Sequence, residues 1–198
     1  MSFVDKVVAA VTPPESAESR QEARAKARAA SGASDWLAMI LDHHVRIEDA
    51  FAAVRSAQGA AARTSALRSL AVILTGHSNA EEAVIYPALV RSGHESHAMS
   101  GYTEQAGAKA NMGELEFLDV ESTEFRDKLE HVQGAVLHHM YEEEKDRFLD
   151  LKELPAEDQD RLTRRYQEEF DRYMGRGAPT PLESGAQTRS ASPSSARH

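Results

Sequence analysis

The 198-residue chain has no cysteine, which excludes disulfides, zinc–thiolate sites, iron–sulfur clusters and cysteine nucleophiles. Any metal it carries must be held by nitrogen and oxygen. Aromatic residues are sparse, at 6% with a single tryptophan. No segment approaches the roughly 20 apolar residues of a membrane span. Met1 to Val11 carries Asp5 and Lys6 where a signal peptide would be uninterruptedly apolar. A cytoplasmic location is the expectation. Positive charge is in deficit, the formal net charge being −9, so neither nucleic acid nor an anionic membrane is expected as a partner. Alternating β-type patterning is missing as well, because the apolar residues recur every three and four positions. The remaining composition, 41% hydrophobic and 28% charged, is that of one globular domain with extensions.

The helical spacing divides the chain into an N-terminal helical arm over residues 1–33, a main body over 34–152, a docking C-terminal helix over 153–174 and a disordered tail over 175–198. Within the arm, residues 2–11 read as a short amphipathic helix closed by Pro13 and Pro14, and Glu15 to Ala30 as a solvated helix or partly ordered arm without an apolar stripe. Four longer amphipathic helices follow, expected over 34–58, 64–90, 98–118 and 123–151, with Pro87 bending or ending the second. Short connections between long helices fit an antiparallel four-helix bundle, an all-α fold in which facing side chains can build a central metal site. The final helix, with Leu162, Tyr166, Phe170 and Tyr173 in phase, is expected to dock outside the bundle.

Two pairs at i, i+4 interrupt the apolar stripes, His77 with Glu81 and His139 with Glu143. Such pairs lie on one helix face and can reach one cation together. Ionisable groups on a core-facing stripe must be paired or must coordinate a metal, since an uncompensated buried charge is costly. Helix phase selects among the nine histidines. His44 continues the stripe of Leu37, Ile40, Leu41, Ile47 and Phe51, which leaves His43 on the flank. Leu129, Val132 and Val136 lead to His139 and Glu143 rather than to His138 and Glu142. Glu82, Glu142 and Glu144 are read as outer-face charges or as hydrogen-bond partners of the histidines. His94 and His97 sit by a loop one residue short of an HExxH spacing and are weak ligand candidates. The chain has neither HExxH nor a phosphate-binding Gly-rich loop nor a nucleophile triad, which argues against hydrolase and nucleotide chemistry.

Asp42-His43-His44-Val45-Arg46-Ile47, then His77-Ser78-Asn79-Ala80-Glu81-Glu82 with Ile85-Tyr86-Pro87, then His138-His139-Met140-Tyr141-Glu142-Glu143-Glu144 with Phe148 resemble the hemerythrin-like family, the HHE cation-binding domain. The resemblance implies a four-helix bundle holding a non-haem di-iron centre, oxo- or hydroxo-bridged and carboxylate-bridged. By matching position it implies His44, His77, Glu81, His139 and Glu143 as ligands, and O2, H2O2 or NO as the small ligand bound, sensed or processed. The shared motifs do not choose between binding, sensing, catalysis of a peroxidase or catalase type, and a helical interaction module with a partly decayed site.

One position departs from the family pattern. Gln105 stands where the third helix normally carries a histidine. Tyr102, one turn earlier, is a candidate phenolate ligand, because metal lowers a phenol's pKa and Fe(III) favours anionic oxygen. The alternative reading of Tyr102 is a core tyrosine with a bonded hydroxyl. His97 is a third candidate for the missing ligand. If none of them binds, the site is asymmetric or mononuclear.

Overall fold

The computed structural model describes residues 15–175. The expectations for residues 2–11 and for the tail beyond Gly175 lie outside the described residues. These contain helices and no strand: α1 is Ala17–Ala30, α2 Trp36–Ser56, α3 Ala60–Ala80, α4 Tyr86–Arg91, α5 Glu95–Leu115, α6 Thr123–Glu142 and α7 Ala156–Tyr173. No helix among them is long and apolar enough to cross a membrane.

Side-chain caps set where the main helices begin. The Asp35 carboxylate accepts from the Ala38 amide at 2.8 Å, and the Ser122 hydroxyl accepts from the Phe125 amide at 3.0 Å, each satisfying one of the amides a helix start leaves free. From those starts the apolar phase runs inward as the periodicity requires. Leu37, Ile40, Leu41, Ile47, Phe51 and Val54 of α2 are buried with Leu67, Leu70, Ile73 and Leu74 of α3 and with Phe125, Leu129, Val132 and Val136 of α6. Trp36 meets Phe148 edge to face, with ring centroids 5.8 Å apart.

Two of the expected helices are not regular throughout. The second passes from α3 to α4 through a π-turn at Glu81–Ile85, and the fourth ends in a π-turn at Glu143–Arg147 before a 3-10 segment at Leu149–Glu153. Each π-turn starts on a glutamate of an i, i+4 pair, and the Tyr86 and Phe148 amides bond to the carbonyls of Glu81 and Glu143 five residues back. Pro87, in the first turn of α4, has no amide to donate. The wider turn in front of it lets the chain continue where a regular helix would break.

The two outer helices contact the body more closely than their sequences suggest. Helix α1 has no broad apolar stripe, yet Ala23 and Ala27 are buried. Its Arg24 forks onto Glu48 at 2.8 and 3.1 Å and onto Glu144 at 2.9 Å. Of the two readings of residues 15–30, a solvated helix or a partly ordered arm, the structure has the helix, mostly exposed but touching the body along Ala23, Arg24 and Ala27. Small side chains allow close approach, and one bidentate guanidinium supplies the specific contact. Helix α7 buries Leu162, Tyr166 and Phe170, while Tyr173 stays half-exposed. Phe170 fits over Gly76, where a Cβ would come within 3.5 Å of its ring.

Candidate metal centre

His44 of α2, His77 of α3, and Glu81 and Glu143 at the heads of the two π-turns are all buried, and one ligand atom from each lies within 4.8 Å of the others. His77 Nε2 is 3.3 Å from Glu81 Oε2, and His44 Nε2 is 3.5 Å from Glu143 Oε2. On the other side of Glu143, its Oε1 lies 3.2 Å from His139 Nε2 and accepts a hydrogen bond from the Tyr86 hydroxyl at 2.9 Å. The same hydroxyl is 3.2 Å from His139 Nε2. Gln105, on α5, donates its amide to Glu81 Oε2 at 2.6 Å and stands 3.4 Å from His139 Nε2. Glu143 therefore faces a His44/His77 half with one oxygen and a His139/Tyr86 half with the other, while Glu81 spans from His77 to Gln105.

All three imidazoles point Nε2 into this volume because Nδ1 is held from outside. The His44 Nδ1–H donates to Glu144 at 2.7 Å and the His139 Nδ1–H to Glu104 at 2.7 Å. Each carboxylate is backed by an arginine: Arg24 on Glu144, and Arg147 on Glu104 through bonds of 2.7 and 2.9 Å. His77 Nδ1 is 3.2 Å from the Tyr166 hydroxyl, which is also 2.9 Å from His43 Nδ1. With His77 donating to Tyr166 and Tyr166 donating to His43, every one of these atoms is satisfied and His77 Nε2 keeps its lone pair for the interior. Outer partners of this kind fix tautomer and ring orientation in metal-binding histidines.

The electrostatics carry the same imprint. Burial opposes protonation of His44 and His139, but the charge of Glu143, with hydrogen-bonded Glu144 and Glu104 behind, overcomes it and lifts the imidazoles to about 9 and about 10. Burial and the neighbouring His44 push His77 well below its ordinary value. Burial and the charge on Glu143 raise Glu81 well above the usual carboxylate range. Burial likewise opposes ionisation of Glu143, yet His139 and His44 hold it below that range.

A cation with nitrogen and oxygen ligands fits these residues. His44 Nε2, Glu81 Oε1, Gln105 Oε1 and Glu143 Oε2 are buried polar atoms without a hydrogen-bond partner among the described residues, and each unsatisfied group costs about 1–3 kcal/mol. Ligand atoms about 2.1 Å from one ion stand about 3 Å apart at right angles, close to the 3.2–3.5 Å separations between each histidine and its carboxylate.

Of the candidates from the sequence, His44, His77, Glu81, His139 and Glu143 are brought together here and Tyr102 is not. The Tyr102 hydroxyl donates to the Glu82 backbone carbonyl at 2.9 Å, and the phenol at the centre is Tyr86. In a regular helix residue i+5 lies about 140° around from residue i; the π-turn adds a residue and returns Tyr86 to the face of Glu81. Pro87, beside Tyr86, was the one sequence sign of irregular backbone there. His43, placed on the flank, is buried as well, stacked on Phe170 with centroids 3.8 Å apart. Tyr166 and Phe170 of α7 stack on its ring, a contact the phase of α2 cannot report. His138 is exposed, as the phase requires. His97 lies outside this volume, against Asp150.

Tyr86 is seated against Gly101 of α5, where an added Cβ would fall 2.7 Å from the ring Cζ and 3.0 Å from the hydroxyl oxygen. Tyr102 flanks the same ring edge-on at 4.9 Å. Gly101→Ala is expected to cost about 1–3 kcal/mol, the usual range for overpacking a core, and to push the phenol off Glu143. Urea unfolding with tyrosine fluorescence checks both, and wild-type stability in the variant would refute the close fit.

The model of the hemerythrin HHE cation-binding domain matches residues 35–149 of this chain, a span containing every residue of the buried centre except Tyr166 and Arg24. Comparison with curated proteins and with solved structures returns no match. Over more than half its length, and through the histidines and glutamates described above, the chain belongs to the hemerythrin HHE cation-binding domain family.

Proposed function

We propose that the chain is a non-haem di-iron protein that binds or processes O2, peroxide or nitric oxide inside an antiparallel bundle formed by α2, α3 with α4, α5 and α6. The observation that carries this reading is the set of three inward Nε2 atoms, each locked by a bonded Nδ1, around two carboxylates that each reach both halves of the volume. Imidazole with carboxylate suits iron or manganese, whereas calcium prefers oxygen alone and structural zinc closes at four ligands. Bound there, a pair of irons would supply redox chemistry toward a small oxidant at a position the protein leaves open. The two halves differ, His44 and His77 lining one and His139, Tyr86 and Gln105 the other, so the metals would be inequivalent. Relative exposure of His44, His77, His139, Glu81 and Glu143 is 6% or less, which excludes a bulky organic substrate and leaves small molecules as the ligands of choice.

A sensing role is the second reading, favoured by one contact. Arg24 of α1 bonds the same Glu144 that holds His44, so occupancy of the centre is linked to the seating of the N-terminal helix. The reading as an interaction module with a decayed site requires Gln105 to have disconnected the centre. Gln105 instead remains bonded to Glu81.

His77→Ala and His139→Ala should lower iron content and melting temperature together, because a metal bound only by the folded state adds its binding free energy to stability. The measurement is iron per chain alongside a thermal melt of protein made with iron supplied. Unchanged iron in both variants would refute the assignment, and a folded, colourless, iron-free wild type would favour the interaction module.

A further inference from the structure

The loop between α4 and α5 assembles a second cluster that shares no residue with the buried centre. His94, at the start of α5, and His97, in its first turn, bring Nδ1 to 3.1 and 3.3 Å from one oxygen, Oδ2 of Asp150, on the 3-10 segment that follows α6. One ligand atom from each of the three residues lies within 4.8 Å of the others. The two rings are stacked, with centroids 5.8 Å apart and planes 25° from parallel, so both present the same nitrogen in the same direction. From sequence, His94 and His97 are an incomplete motif at i, i+3; the fold supplies the third ligand from a residue more than fifty positions away.

His97 Nδ1 is shielded from solvent and has no hydrogen-bond partner among the described residues, although the carboxylate oxygen is 3.3 Å away. That approach is therefore not an N–H aimed at an acceptor. A nitrogen and an oxygen at that separation without a hydrogen bond between them are placed as two ligands of one ion, whose neighbouring donor atoms stand about 3 Å apart. We propose that His94, His97 and Asp150 form a second site, for a single divalent transition-metal ion with two imidazole ligands and one carboxylate. The three side chains are 36%, 37% and 33% exposed, so an ion enters directly from solvent and keeps water on its remaining positions. Two imidazoles select zinc, cobalt, nickel or copper(II) over magnesium and calcium, which prefer oxygen alone. The bound ion ties the beginning of α5 to the segment after α6, across a loop that turns at Gly93 with φ of 90°.

Cobalt(II) is the probe, added to full-length protein already loaded with iron, with bound cobalt measured by equilibrium dialysis and its geometry by visible absorption. Wild type is expected to take up one cobalt beyond its iron and to melt higher with cobalt present. Asp150→Asn and His94→Gln should each weaken that uptake at least tenfold and remove the thermal gain, while their iron content stays at the wild-type level. Uptake equal to wild type in Asp150→Asn would overturn the proposal. So would the absence of uptake, which would leave Asp150 as a plain polar neighbour of the two imidazoles at the start of α5. The same titration on Glu143→Gln separates the two sites. Cobalt binding that survives there belongs to the loop, so the loop site stands or falls independently of the buried centre; cobalt binding that disappears there and persists in Asp150→Asn overturns the loop site.

Discussion

Glu143→Gln is expected to empty the buried centre, with iron affinity falling more than about a hundredfold, the equivalent of about 2.7 kcal/mol or more of binding free energy. Glu143 is the carboxylate whose two oxygens face different halves, Oε2 toward His44 at 3.5 Å and Oε1 toward His139 at 3.2 Å and Tyr86 at 2.9 Å. Glutamine keeps the volume while removing the negative charge and replacing one acceptor with a donor aimed at an imidazole nitrogen or at Tyr86. A cation placed there would lose an anionic ligand in both halves at once, and truncating one partner of a buried charge set is far more costly than losing a surface pair. Glu144→Gln, one residue on, is the control. Glu144 touches His44 only through Nδ1, so its loss should weaken binding by the roughly 10–100-fold typical of an outer partner without emptying both halves. Iron content is read by metal analysis and folding by circular dichroism. Wild-type iron in folded Glu143→Gln would contradict the bridging role.

The second large effect concerns the phenols. Ferric protein is expected to show a visible phenolate-to-iron absorption that Tyr86→Phe abolishes and Tyr102→Phe leaves intact. Without a cation, burial and the charges of Glu143 and Glu81 push the Tyr86 hydroxyl well above its ordinary pKa, so only a cation nearby can make the phenolate the preferred form. The Tyr102 hydroxyl is committed to a backbone carbonyl at 2.9 Å and has no comparable reason to ionise. A band that persists in Tyr86→Phe would remove Tyr86 from the site, and a band lost in Tyr102→Phe would restore the assignment made from the sequence.

These two tyrosines mark what the sequence could and could not convey. The phase of a regular helix places His44, His77 with Glu81, and His139 with Glu143 inward and His138 outward, because the stripe that reveals them lies within one continuous helix. That logic fails where the backbone leaves the α-helix. The π-turn at Glu81–Ile85 brings Tyr86 onto the side of Glu143 and His139, while Tyr102, nominally in phase with Gln105, turns its hydroxyl to the Glu82 carbonyl. It fails again where burial comes from elsewhere in the chain. His43 is covered by Phe170, Tyr166 reaches His77 from a helix expected to dock only on the outside, and Arg24 reaches Glu144 from a stretch without an apolar stripe. Gln105 was legible as a departure from the family pattern, and the structure gives it work as a donor to Glu81 in place of an imidazole ligand.

The paired arginine–glutamate–histidine chains, Arg24–Glu144–His44 and Arg147–Glu104–His139, describe how the centre is held. Burial opposes ionisation of Glu104, but His139, Arg147 and Ser100 hold it below the usual carboxylate range. It therefore stays an acceptor for the His139 Nδ1–H and keeps Nε2 turned inward. One chain begins on the N-terminal helix and the other at the end of a π-turn, so the two imidazoles report on different parts of the fold.

The most direct test is anomalous scattering at the iron edge from crystals of full-length protein prepared with iron. Two peaks about 3.5–4 Å apart, the usual spacing of a two-metal site, are expected on either side of Glu143, one beside His44 and His77 and the other beside His139 and Tyr86. Iron found only at His94, His97 and Asp150, or no peak among the three inward histidines of a folded protein, would contradict the account.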